Sequence, residues 1–125
     1  LDRDATVDGR KVLIVEDEPL IAMLLEDMLN ELGFDVDTSG GRLASAMEAA
    51  AASQWRCVIL DVSLGDEETY PVADALMARK IPIIFATGYG RDGLRPGYRE
   101  TTVLQKPFLI DDLEVALKDA LRPAS

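Results

Sequence analysis

The apolar positions of this chain fall into two alternating patterns. Unbroken apolar runs stand at Val12-Leu13-Ile14-Val15 and Cys57-Val58-Ile59-Leu60, and each stops abruptly at acidic residues, Glu16-Asp17-Glu18 and Asp61. A run that is apolar at every position suits a strand buried on both faces; a strand with one wet face would alternate. Between the runs the spacing is helical. Ile21, Leu24, Leu25, Met28, Leu29 and Leu32 recur at helical intervals behind Pro19, which suits a first helical turn, and Gly33 marks a stop. The pattern then repeats: a strand over 34–38, an Ala-rich helix marked by Leu43, Met47 and Ala50, and the strand that ends at Asp61. A helix marked by Val72 and Leu76 follows, then a strand over 81–86 ending at Thr87, and a last strand at Val103-Leu104 ending near Lys106. Asp111 and Glu114 form a capping-box-like pair around Leu113, ahead of Leu117 and Leu121, and predict a closing helix. Strands alternating with helices predict βαβ crossovers and a parallel sheet covered on both faces, an α/β fold.

One segment breaks the alternation. Gly88, Gly90, Gly93, Pro96 and Gly97 occupy the place of a fourth helix. At roughly 1 kcal/mol per glycine relative to alanine, these residues predict a weak or irregular helix and a mobile segment. Residues 1–10 are polar and aperiodic and read as a mobile N-terminal tail, leaving 11–122 as one domain. The chain begins with Leu1 rather than Met, which suggests trimming or excision from a longer protein.

Composition narrows the function classes. The 125 residues are 48% hydrophobic and 29% charged, the balance of one globular domain. With 13 Lys and Arg against 23 Asp and Glu, the net charge is −10, so no nucleic-acid partner is expected. The absence of His excludes Ser-His-Asp and Cys-His nucleophiles and His-ligated zinc. A single cysteine, Cys57, cannot form an internal disulfide; it reads as a small core residue, and a cytoplasmic location is expected. No apolar run approaches a membrane span, and no membrane partner is expected. Trp55 reads as packing at a strand entrance. Arg91, Arg95 and Arg99 read as solubilising charges, with a partner contact as the alternative.

In an open parallel sheet, ligands gather beyond the carboxyl ends of the strands. Glu16 and Asp17, then Asp61, Thr87 and Lys106 each stand at such an end and converge on one edge. Clustered carboxylates repel unless a cation joins them, and oxygen ligands suit Mg²⁺ where phosphate is involved. A lysine and a threonine hydroxyl opposite them suit phosphoryl oxygens. Asp66, Glu67 and Glu68 read as a solvated loop, with further metal ligation as the alternative.

With these residues in order, the chain resembles a receiver domain of a two-component response regulator. The resemblance is carried by Val12-Leu13-Ile14-Val15-Glu16-Asp17-Glu18, Ile59-Leu60-Asp61-Val62, Phe85-Ala86-Thr87-Gly88-Tyr89 and Gln105-Lys106-Pro107-Phe108. Phe85 to Tyr89 more narrowly resembles the FAT GUY subgroup, often stand-alone proteins of alphaproteobacteria. The resemblance implies a flavodoxin-like, doubly wound five-stranded parallel sheet of order 2-1-3-4-5. It implies that Asp61 accepts a phosphoryl group from a phosphohistidine on a histidine kinase or histidine phosphotransfer protein. It also implies Mg²⁺ bound by Asp17, Asp61 and the Ser63 backbone carbonyl, with Glu16 acting through water. Thr87 would bond the phosphoryl group and couple it to the distal surface. Lys106 would pair first with Asp61 and then with a phosphoryl oxygen, and the Lys106–Pro107 bond would be cis. Output would run through an unknown downstream protein, from a monomer or weak dimer, without enzymatic activity beyond the domain's own phosphorylation and dephosphorylation.

Two departures stand against the family pattern. Val103 occupies the place of an aromatic switch residue, so Tyr89 is expected to take over part of the coupling to Thr87. The segment Val62-Ser63-Leu64-Gly65-Asp66-Glu67-Glu68 departs from the usual loop after the acceptor. A stand-alone receiver is expected from the few residues after Leu121; a receiver excised from a hybrid kinase or longer regulator is the alternative. Enzymes of the same sheet type rank lower. A haloacid-dehalogenase-like phosphatase would need an acid where Ser63 stands, and Glu16-Asp17-Glu18 would repel a flavin phosphate.

Overall fold

The computed structural model describes residues 10–122, so the expected tail lies outside the described residues except for Arg10. The first apolar run forms β1 (Lys11–Val15), and Pro19 opens α1 (Pro19–Glu31). The chain continues through β2 (Asp35–Ser39), α2 (Leu43–Ala51) and β3 (Cys57–Asp61). A two-residue pair, β4 (Ser63–Leu64) and β5 (Glu67–Glu68), precedes α3 (Tyr70–Ala78). Then come β6 (Ile83–Thr87), two 3₁₀ turns (Gly90–Gly93 and Pro96–Tyr98), β7 (Thr102–Gln105) and α4 (Ile110–Ala120).

Five strands form one parallel sheet of order β2-β1-β3-β6-β7, the flavodoxin-like order expected. Neighbouring registers include Ile14 opposite Ile59 and Leu60 opposite Phe85. Alternation along each strand sends residues to opposite faces. Leu13, Val15, Val58, Leu60 and Phe85 pack with α2 and α3. Val12, Ile14, Ile59, Ile84 and Leu104 pack with α1 and α4. Burying a Leu, Ile or Phe side chain stabilises by roughly 1.5–3 kcal/mol, so this double cover supplies most of the driving force. Cys57 is fully buried, and burial pushes its thiol up to about 12. Trp55 is buried at the entrance to β3, its indole N–H pointing at the Ala49 and Ala50 carbonyls.

Several local expectations are corrected. The acceptor that caps α4 is Asp112, whose carboxylate takes the Leu109 N–H at 2.8 Å; Asp111 and Glu114 do not make that bond. β6 begins at Ile83 because Ile81 belongs to the end of α3, where its N–H bonds the Leu76 carbonyl at 3.0 Å. The segment after Asp61 is an antiparallel hairpin closed by Gly65 at φ +61°, a left-handed conformation that a side chain would strain.

No α-helix forms between β6 and β7, as the glycines predict. The arginines there tie the irregular backbone to itself and its surroundings. Arg91 donates to the carbonyls of Arg99 and Thr101, and Arg99 Nε donates to the Leu94 carbonyl. Arg95 pairs with Glu68 and lies over the Tyr70 ring, 4.6 Å from its centroid. The reading of these residues as mere solubilising charges is therefore corrected.

Candidate functional site

The five residues marked in the sequence stand at neighbouring strand exits. Glu16 and Asp17 follow β1, Asp61 ends β3, Thr87 ends β6 and Lys106 follows β7. Because the order places β1, β3, β6 and β7 side by side, their exits share one edge. Glu16, Asp17 and Asp61 each offer a carboxylate oxygen within 4.8 Å of the others. Lys106 Nζ closes the cluster, 3.1 Å from Glu16 Oε1 and 3.2 Å from Asp61 Oδ2. The Lys106–Pro107 peptide is cis, as expected.

Burial divides the cluster. Only 1% of the Glu16 side chain is exposed, against 13% for Asp61, while Asp17 is open to solvent. Glu16 Oε2 accepts the Glu18 N–H, and the buried Oε1 has the Lys106 ammonium, 3.1 Å away, beside it. Burial first, and the Asp61 charge second, push the Glu16 carboxyl up to about 7 despite Lys106. Burial opposes the charge on Lys106, yet the carboxylates of Asp61 and Glu16 outweigh it and the ammonium ends with a raised pKa.

Backbone amides orient the other two acids. The Ser63 N–H donates to Asp61 Oδ1 at 3.3 Å, and the Gly65 N–H donates to Asp17 Oδ2 at 2.9 Å. Both amides belong to the hairpin, whose role the sequence did not reveal; Gly65 was its visible signal. The hairpin's own acids stay out of the three-carboxylate cluster found among the described residues. Glu67 instead accepts the Leu43 N–H at the start of α2, and Glu68 holds Arg95.

Thr87 is buried, and its Oγ1 accepts the Tyr89 N–H at 3.0 Å. The Lys106 N–H donates to the Thr87 carbonyl at 2.9 Å, which ties the two exits together. The Tyr89 ring is 84% exposed, so Tyr89 touches Thr87 through its backbone. Val103 packs beside Phe85 and Tyr98. The aromatic group on that face is Tyr70, Phe85 and Tyr98, with Tyr70 and Tyr98 centroids 4.5 Å apart.

Three carboxylates with oxygens within reach of one another, partly neutralised by a single ammonium, make a site fit for a hard divalent cation beside a phosphoryl group. A doubly wound sheet that gathers such groups at its strand exits defines a class of signalling domain, and the chain belongs to the response regulator receiver domain family, whose model matches residues 12–118. It is similar to the solution structure of SdrG from Sphingomonas melonis Fr1, with 46% identity and a TM-score of 0.79 over 89% of this chain and 94% of that one. Among curated proteins it is 35% identical to the transcriptional regulatory protein PdtaR of Mycobacterium tuberculosis over 124 residues. That match takes in 96% of this chain and 60% of PdtaR, so the chain spans well under the full length of that relative. The receiver domain of the sensor histidine kinase PA1611 from Pseudomonas aeruginosa PAO1 is also similar, at 25% identity and a TM-score of 0.75, over 92% of this chain and 99% of that one. That domain is described with magnesium coordinated in its active site cleft. Receiver domains bind Mg²⁺ at an acidic site, work with kinases or phosphotransfer proteins, and are signalling domains rather than classical enzymes. No helix among the described residues is long and apolar enough to cross a membrane.

Proposed function

We propose that residues 11–122 form a phosphoacceptor unit in which Asp61 takes a phosphoryl group from a phosphohistidine of a histidine kinase or histidine phosphotransfer protein. The observation that carries this reading is the Asp61 carboxylate, held between Lys106 Nζ on one oxygen and the Ser63 N–H on the other, beside Glu16 and Asp17. Asp17, Asp61 and the Ser63 carbonyl would hold Mg²⁺, with Glu16 reaching it through water. The ion, when bound, would neutralise charge on the phosphoryl oxygens.

An Asp61 oxygen attacks phosphorus, the bond from phosphorus to the donor imidazole nitrogen breaks, and the imidazole leaves. Lys106 passes from Asp61 to a phosphoryl oxygen, and the Thr87 hydroxyl donates to another. Phosphoryl transfer asks mainly for positioning and charge neutralisation, and these groups supply both. The Phe85-Ala86-Thr87-Gly88-Tyr89 stretch at the end of β6 supports membership of the FAT GUY subgroup. Output then runs through a downstream protein, from a monomer or weak dimer in the cytoplasm, where such donors act. A receiver that is part of a longer regulator or hybrid kinase is the second reading. It is favoured by the span of PdtaR that this chain leaves uncovered and by the likeness to a kinase receiver.

Incubation with Mg²⁺ and acetyl phosphate, followed by mass spectrometry, tests the assignment. The expected result is a single aspartyl phosphate at Asp61, absent in Asp61→Asn; a modification that survives this substitution would refute it.

A further inference from the structure

Thr69 is fully buried beside the site, and its hydroxyl has an unusual direction. It is the N-cap residue of α3, where a threonine oxygen ordinarily accepts an N–H of the first helical turn. Here that cap bond is missing. Tyr70 is the first helical residue and Pro71 the second, so the amide that would donate at the second position does not exist. The Val72 and Ala73 amides bond the Thr69 backbone carbonyl instead, at 2.9 and 3.1 Å. The hydroxyl turns back toward β3, with Oγ1 2.6 Å from the Asp61 carbonyl oxygen and 3.0 Å from that of Val62. The Thr69 N–H also donates to the Val62 carbonyl, at 2.9 Å.

We propose that Thr69 is a positioning residue for the phosphoacceptor site, clamping the base of the hairpin so that the hairpin amides hold Asp61 and Asp17 in place. The inference rests on the phosphoacceptor reading above and adds a residue to it. The chain of contacts is short. Thr69 fixes the carbonyls of Asp61 and Val62, the two residues that lead into the Ser63–Glu68 pair closing the hairpin. The first hairpin strand, so anchored, presents the Ser63 N–H to Asp61 Oδ1. The turn that follows presents the Gly65 N–H to Asp17 Oδ2. Two of the three clustered carboxylates are thus oriented by one short element, and among the described residues the Thr69 hydroxyl is the one side-chain group that holds both carbonyls at its base. Deleting the hydroxyl loosens the hairpin, and both carboxylates lose their preset directions before any ion or phosphoryl group arrives.

The test compares Thr69→Val, which keeps the shape and removes the donor, with Thr69→Ser, which keeps the donor. Two quantities are read on the whole chain: Mg²⁺ affinity by calorimetry, and metal-free hydrogen exchange at the Ser63 and Gly65 amides. Partners of metal ligands commonly change affinity by about tenfold or more, so Thr69→Val should weaken Mg²⁺ by about tenfold and Thr69→Ser by no more than about twofold. Exchange at both amides should quicken in Thr69→Val and not in Thr69→Ser. Equal Mg²⁺ affinity in Thr69→Val and the parent would overturn the proposal, as would equal losses in both variants. If Thr69→Val does not fold, Thr69→Ala takes its place against Thr69→Ser, judged by the same outcomes. A parent that binds no Mg²⁺ would instead defeat the phosphoacceptor reading. The exchange rates alone would then judge the clamp, and parental rates in Thr69→Val would overturn it.

Discussion

At the scale of single residues, α1 and α3 end in the same way with different residues at the critical place. After α1, the Gly33 N–H bonds the Asn30 carbonyl and the Phe34 N–H bonds that of Leu29. After α3, the Lys80 N–H bonds Met77 and the Ile81 N–H bonds Leu76, the same pair of reversed bonds. Gly33 has φ +96° and Lys80 has φ +61°, so a lysine holds a conformation that suits glycine. Lys80→Gly should therefore stabilise the domain by about 0.5–1 kcal/mol, read as a higher denaturation midpoint. Glu16 carries the other residue-scale consequence. Its folded pKa of about 7 exceeds the ordinary 4.5, so between these values the folded state binds more protons than the unfolded one. Stability from this group falls as pH rises through that window, and the penalty is complete above it. Lys106, with its pKa raised, stays charged throughout the window and does not alter the sign. Metal-free melts of Glu16→Gln should lack this slope and exceed the parent above neutrality by on the order of 1 kcal/mol. Parallel pH profiles for the two proteins would refute the assignment.

At the scale of elements, legibility followed pattern length. The strands β1 and β3 announced themselves because burial on both faces leaves no polar position until the chain meets water, and such exits are where ligands gather in open parallel sheets. The acids and the lysine of the site were readable for the same reason. The hairpin was not, since β4 and β5 have two residues each and Leu64 is its sole buried side chain. Thr69 was equally hidden: a threonine before Tyr-Pro reads as an ordinary cap until the direction of its hydroxyl is known. The depth of Glu16 was hidden too, because sequence proximity says nothing of burial, and burial is what raises its pKa. The segment between β6 and β7 was read correctly as lacking a regular helix, but its arginine ties follow no helical or strand period and so left no local pattern. Those ties join backbone carbonyls on an exposed surface, and Leu94 is its buried anchor. Such a segment opens at low cost. Hydrogen exchange at 90–95 should be faster than in α1 without phosphate, and equal protection would contradict this.

At the scale of the molecule, the two packed faces and the strand-exit edge pull in opposite directions. The faces stabilise; the edge gathers three carboxylates around one ammonium. An ion bound there stabilises the native state by RT ln(1 + [L]/Kd), on the order of 1 kcal/mol at a few times Kd. Millimolar Mg²⁺ should raise the parent's melting temperature relative to EDTA, and Asp17→Asn should gain less. Equal shifts would place the ion elsewhere.

The chain has one tryptophan, and it lies at the opposite end of the sheet from this chemistry. Trp55 stands two residues before β3 and Asp61 ends it, a separation of six residues, or roughly 20 Å along an extended chain. Lys11 Nζ sits 5.5 Å from the indole centroid, and the ring is otherwise enclosed. Intrinsic fluorescence is therefore an optical gauge of unfolding that stays silent to events in the acidic pocket. A denaturation curve followed by this fluorescence can be compared with and without Mg²⁺, whereas a fluorescence readout of binding needs a chromophore introduced at the other pole.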